Sequence, residues 1–196
     1  MPRSPKAALA AMEQLILHRR VRGPGIMVAR STRLVGAPIV RAFPGSTIEV
    51  GERGELVSAA HRATMALNHP CQLQTYRAGA RISIGNDVGM SGATICSTIQ
   101  VTIGDRTMLG ANATILDTNF HPLDPQGRRF APIPEPEPED AVTIGCDVFI
   151  GAGAFVLPGT RIGDGSVVAA AAVVRGEVAP GVVVAGNPAV VVKKLD

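Results

Sequence analysis

The sequence predicts an all-β fold of stacked coils with a short N-terminal helix and one extruded loop. Three observations predict it. The chain of 196 residues is 46% hydrophobic yet only 3% aromatic, so its interior is built from thin aliphatic layers rather than interlocking rings. It carries 22 Gly, no Trp and a single tyrosine, Tyr76. Above all, aliphatic residues recur every six positions: Ile84, Met90 and Cys96, then after a one-residue slip Ile103, Leu109 and Ile115, and after an interruption Ile144, Ile150, Val156, Ile162, Val168 and Val174. An amphipathic helix repeats near 3.6 and a plain meander near two, so six describes short strands joined by tight corners. Each hexad is one flat wall of a coil, and stacked coils bury ladders of Val and Ile.

The elements follow in chain order. Residues 5 to 20 read as a helix, with Ser4 at the N-cap, Pro5 in the first helical position and basic residues in the last turn. Leu9, Met12, Leu15 and Ile16 share one face, a packing stripe against the domain, and Gly23-Pro24-Gly25 ends the segment. The organisation expected is residues 1–25 as helix and linker, then 26–196 as one β-helical domain. Residues 26 to 83 hold strand-like pieces, Thr47–Val50, Glu55–Val57 and Arg81–Ile84, read as wider first coils. From Ile84 the hexads run in register, and the residue after the lead is Gly in six of twelve. Glycine there is expected to serve a corner with positive φ. His121 to Thr143 interrupts the repeat with 23 residues and six prolines, an extended excursion of the kind that usually carries function.

Composition also excludes functions. A net charge of +3 with scattered basic pairs and almost no aromatics argues against nucleic-acid binding. The longest apolar run, Val167 to Val174, is far short of a bilayer span, and Ala7 to Met12 lacks the pattern of a secretory leader. Cys71, Cys96 and Cys146 lie apart without CxxC spacing, so neither a disulfide framework nor a zinc knuckle is expected, and a reducing cytoplasm is.

The Ile-Gly-Asp repeat, the segment Asp117-Thr118-Asn119-Phe120-His121-Pro122 and the ending Gly186-Asn187-Pro188-Ala189 resemble the hexapeptide-repeat acyltransferases, most closely the sugar O-acetyltransferases of the maltose, galactoside and polysaccharide type. The resemblance covers about residues 48 to 195. It implies a left-handed parallel β-helix of triangular section, a homotrimer with active sites between subunits, and acetyl-CoA as co-substrate with no bound cofactor or metal. It further implies that the loop reaches over a neighbouring subunit's site.

Acetyl transfer to a hydroxyl needs a base, and a neutral imidazole, with an ordinary pKa near 6.5, suits the task. His121 stands where the coil stops, restricted by the following Pro122, and matches the family's catalytic histidine. Asp117 lies where a carboxylate could accept from the ring N–H and fix its tautomer; the alternative is a corner Asp capping a turn. The resemblance places coenzyme A contacts on Ala152, Ala170, Arg175 and Lys193, with Val190 where relatives often carry a basic residue. Ser91 is the polar candidate for acceptor contact. His69, beside Pro70, lines the acceptor pocket or is a satisfied core histidine. Two other classes compete: a zinc hydratase resembling the γ-type carbonic anhydrases, using His61, His69 and His121, and a trimeric scaffold without catalysis.

Overall fold

The structure is a computed structural model that describes residues 5–195, and Ser4 lies outside them. A helix, Pro5–Arg20, precedes a parallel β-helix whose first strand begins at Ile26. Every third strand enters the same sheet, so one coil is three strands and the coil has three walls. Among the described residues wall A holds seven strands, Ile26–Val28 through Glu177–Val178; wall B eight, Arg33–Val35 through Ala189–Lys194; and wall C six, Ile39–Arg41 through Val173–Val174. All pairings are parallel except the last, where Ala189–Lys194 turns back antiparallel on Val182–Gly186 and closes the top. The pieces Thr47–Val50, Glu55–Val57 and Arg81–Ile84 are strands with the boundaries read from sequence.

The register shows why the repeat is aliphatic. In wall A, Val50, Ile84, Ile103, Ile144, Ile162 and Val178 stack in one column. In wall B the column is Leu34, Leu56, Met90, Leu109, Ile150, Val168 and Val184. In wall C it is Val40, Leu73, Ile95, Ile115, Val156 and Val174. Apart from Val40, which packs half-buried against them, these side chains are fully buried and form one core. Branched residues repeated in parallel columns interlock without rings.

Two details correct the sequence reading. The wall C column carries Ile95, not Cys96, so the spacing is five residues from Met90 and eight onward to Ile103. The corner before Ile95 is one residue short, and residues 97–99 form a corner two residues longer, wrapped around Asp117. Cys96 sits in the outward column with Gln74 and Leu116 and is buried under Tyr76, whose hydroxyl lies 3.8 Å from its sulfur. Burial raises the pKa of both the Cys96 thiol and the Tyr76 hydroxyl.

The glycines after the lead residues do not have positive φ; that conformation falls two residues later, on Asp87, Arg106, Asn112, Asp147, Gly153 and Gly165. Those lead glycines are required by close approach instead. A Cβ on Gly151 would lie 2.4 Å from the Ala170 nitrogen of the coil above. Gly151→Ala should therefore cost about 1–3 kcal/mol through forced separation of two coils. Gly153→Asn, facing open space at a left-handed position that Asn112 fills one coil below, should be nearly neutral; urea unfolding of the two variants checks both expectations.

At the corner between walls A and B the left-handed positions alternate in charge up the stack. Arg53 donates from Nε and Nη2 to Asp87, both at 2.8 Å, and Arg106 to Asp147 at 2.7 and 2.6 Å. These bonds hold both carboxyls below their ordinary range.

The helix closes the lower end through the face opposite to the one expected. Leu17 and Val21 join the core, Gln14 exchanges two hydrogen bonds with the backbone of Leu34, and His18 Nε2 lies 2.9 Å from the Thr32 carbonyl. Leu9, Met12, Leu15 and Ile16 face outward, 63%, 55%, 53% and 46% exposed. Polar capping of an open strand edge wins over burial of the stripe, because the backbone groups of Arg33–Val35, the lowest strand of wall B, have no coil below them. Among the described residues no helix is long and apolar enough to cross a membrane.

Candidate functional site

The excursion leaves wall C after Thr114–Leu116 and re-enters wall A at Val142–Ile144, so it springs from the corner between those walls. Its first residue, Asp117, is fully buried. One oxygen accepts from Thr98 N at 2.6 Å and Thr98 Oγ1 at 3.0 Å; the other accepts from Ser97 Oγ at 2.7 Å and Ile99 N at 3.0 Å. Both oxygens are thereby occupied by the long corner of the coil below. Of the two readings open for Asp117, these bonds are those of a corner carboxylate: no hydrogen bond joins it to His121, and it fastens the exit of the loop to residues 97–99.

The next residues turn sharply. Thr118 Oγ1 accepts from Phe120 N at 3.1 Å, the Asn119 carbonyl accepts from His121 N at 2.7 Å, and Phe120 has φ of +60°. Such a conformation is costly for an aromatic residue and persists because its surroundings hold it. The Phe120 ring meets Tyr76 edge to face, with centroids 5.1 Å apart. His121 follows, exposed, and its imidazole has no hydrogen-bond partner among the described residues. A rigid aromatic footing thus presents a free ring nitrogen to solvent.

The rest of the excursion lies along its own corner and is fixed at two places. Arg77 donates to Glu135 at 2.5 Å and to the Ile133 carbonyl at 2.9 Å, and Gly159 N donates to the Asp140 carbonyl at 2.8 Å. Between His121 and these anchors the chain projects, leaving Leu123 83% and Phe130 85% exposed. Arg77 and Tyr76 were not singled out from sequence; the signal available was a lone aromatic and an arginine just before the Gly79 corner, which carries no periodicity.

Four of the other site residues, Ala152, Ala170, Ser91 and His69, fall on a different edge. Ala152 and Ala170 stack one coil apart at the corner between walls B and C. Ser91 ends a wall B strand lower on that edge, and beside it His69 Nδ1 lies 2.9 Å from the Pro70 carbonyl and Nε2 3.5 Å from Thr94 Oγ1. His69 belongs to the insertion at 58–71, which is pinned by Asn112: its amide oxygen accepts from Asn68 N at 2.9 Å and its amide nitrogen donates to the Ala66 carbonyl at 3.0 Å. Arg175 is exposed on the His121 edge two coils higher, roughly 10 Å at ordinary strand spacing. Lys193 is exposed on wall B, paired with Val183. Within one chain His121 and Arg175 therefore share one edge of wall C, and Ala152, Ala170, Ser91 and His69 the other. His61, His69 and His121 do not converge, and among the described residues no three His, Cys, Asp or Glu side chains are placed to hold a metal.

Comparison with known proteins agrees with this architecture. Residues 141–176 match the model described as bacterial transferase hexapeptide (six repeats), and 100–115 the hexapeptide repeat of succinyl-transferase. The galactoside O-acetyltransferase of Escherichia coli is 31% identical over 169 residues, 84% of this chain and 79% of that protein. The galactoside O-acetyltransferase of Lactococcus lactis is 35% identical over 103 residues, 53% of this chain and 47% of that protein. The chain spans about half the length of other curated relatives it matches, 44% and 53% for two of them. Among solved structures, an N-acyltransferase from Bacillus cereus in complex with dTDP-4-amino-4,6-dideoxyglucose and coenzyme A superposes with a TM-score of 0.62 at 14% identity, covering 93% of this chain and 89% of that one. A galactoside acetyltransferase in complex with coenzyme A gives 0.55 at 20% identity, covering 100% and 86%. The aliphatic columns, the corner glycines and the match along most of a galactoside O-acetyltransferase agree: this chain belongs to the hexapeptide-repeat acyltransferases and has their left-handed parallel β-helix.

Proposed function

We propose that this chain is an acetyl-CoA-dependent O-acetyltransferase that acts on a hydroxyl of a sugar or glycoconjugate, with His121 as general base. The observation that carries this reading is the exposed imidazole of His121, without a partner among the described residues, that follows the Phe120–Tyr76 footing at the mouth of the loop. In the reaction the imidazole takes the acceptor's proton as its oxygen attacks the thioester carbonyl. The C–S bond then breaks, and the imidazolium returns the proton to the departing thiolate. No covalent enzyme intermediate is required.

The assembly we infer is a homotrimer. His121 and the Ala152–Ala170 groove stand on opposite edges of wall C, so a neighbouring copy is what unites them, and Leu123 and Phe130 project from the loop toward such a neighbour. The outward faces of walls B and C also carry exposed Met108, Phe149 and Phe155. Ala152 and Ala170 would let the pantetheine arm approach the backbone, with Arg175 and Lys193 meeting phosphates. Ser91 and His69 would face the acceptor. Free Cys71 and Cys96, both buried, support a reducing cytoplasmic setting.

Incubation with acetyl-CoA and a panel of sugars, amino sugars and serine tests the activity by release of free thiol. Release is expected with a hydroxyl-bearing sugar. Release only with serine, or only with an amine, would overturn the proposed acceptor class.

A further inference from the structure

The N-terminal helix presents an apolar stripe to solvent and has a cluster of cations beside it. Leu9, Met12, Leu15 and Ile16 lie on the face turned away from the coil, while Gln14, Leu17 and His18 anchor the opposite face. A cavity of about 330 Å³ opens between helix and first coil, lined by Leu15, His18, Arg19, Arg22 and Arg30 among others. None of these three arginines makes an ion pair or side-chain hydrogen bond among the described residues, whereas Arg33, Arg53, Arg62, Arg77 and Arg106 all do. Arg20 in the same last turn is also exposed and unpaired. The helix's one acidic residue, Glu13, is held by Arg62 at 3.0 Å. Glu49 lines the adjoining cleft with Arg22 and Arg30 but pairs with neither.

We propose that this end of the molecule docks on an anionic phospholipid surface. Phosphodiester headgroups are taken by Arg19, Arg22 and Arg30, and Leu9, Met12, Leu15 and Ile16 enter the acyl boundary. The charge pattern selects this occupant. A second copy meeting the same face would set four arginines unpaired among the described residues, Arg19, Arg20, Arg22 and Arg30, against their like, with Glu49 the one unpaired carboxylate lining the adjoining cleft. A nucleic acid would match the arginines and leave the apolar stripe without a counterpart. A helix with apolar residues on one side and cations at its flank lies in the membrane interface, where long arginine stems reach headgroups while the stripe is buried. Either signal alone gives weak attachment; together they reinforce one another.

The test is flotation of the full chain with vesicles of phosphatidylcholine alone and of phosphatidylcholine with phosphatidylglycerol. The protein should float only with the anionic vesicles and be released by high salt. Arg19→Gln/Arg22→Gln/Arg30→Gln should lower the partition constant about tenfold or more. Leu9→Ser/Ile16→Ser should lower it too while oligomeric size and thermal unfolding stay unchanged, as expected for exposed positions. Equal binding to both vesicles, or binding to neither, overturns the proposal. So does a change of oligomeric state in Leu9→Ser/Ile16→Ser, which would assign the stripe to a subunit contact. Stabilisation by inorganic phosphate without flotation would reassign the arginines to a free anion and overturn the membrane reading as well.

Discussion

His121→Ala is expected to lower kcat by about 10² to 10⁴ while leaving acetyl-CoA affinity and thermal stability unchanged. The ring is exposed and bonded to nothing among the described residues, so its removal opens no cavity and strands no partner there. What is lost is a proton acceptor at the mouth of the loop. Stopped-assay thiol release under saturating substrates, with the donor Kd from calorimetry, separates the two quantities. Retention of full turnover would remove His121 from the mechanism. A fall in donor affinity without a fall in kcat would convert it to a binding residue.

Asp117→Ala should show the opposite pattern. It deletes a fully buried carboxylate that receives four hydrogen bonds and leaves two backbone N–H groups and two hydroxyls of residues 97–99 facing an empty space. Stranded buried donors of this kind cost about 3–5 kcal/mol in total, on the order of 10 °C in Tm for a domain of this size. Asp117→Asn should fall between, because one amide NH₂ would oppose donors. If Asp117 instead fixed the tautomer of His121, Asp117→Asn would keep the wild-type Tm and lose kcat. We expect its kcat to stay close to wild type below the lowered Tm, with the deficit appearing as faster hydrogen exchange at residues 97–99 and at the loop exit. That outcome would support our proposal that Asp117 is a positioning residue acting through the backbone leading to His121.

The coil was legible because its cause is periodic. Every core position is one residue in a column, so Ile144, Ile150 and Val156 announce themselves by spacing alone, and the strands at 47–50, 55–57 and 81–84 could be bounded even in the irregular part. The misplacement of Cys96 for Ile95 shows the limit. Two adjacent apolar residues offer two registers, and only the hydrogen bonds of residues 97–99 to Asp117 select the one with a short corner followed by a long one. The helix stripe failed for a related reason. Amphipathicity says that a face is apolar but not that a core is available to it, and the open edge at Leu34 was better served by Gln14.

The sequence by itself determined the six-residue coil, its aliphatic columns, the position of the loop and the histidine at its mouth, because each is a local or periodic property of the chain. The tertiary structure alone decided what Asp117 bonds to, why the lead glycines are glycines, and that the candidate residues other than Lys193 lie on two separate edges of wall C. Those facts depend on which atoms of one coil meet the next across the stack. Residues far apart in the chain, such as Ser97 and Asp117 or Gly151 and Ala170, become neighbours only once the coil has closed.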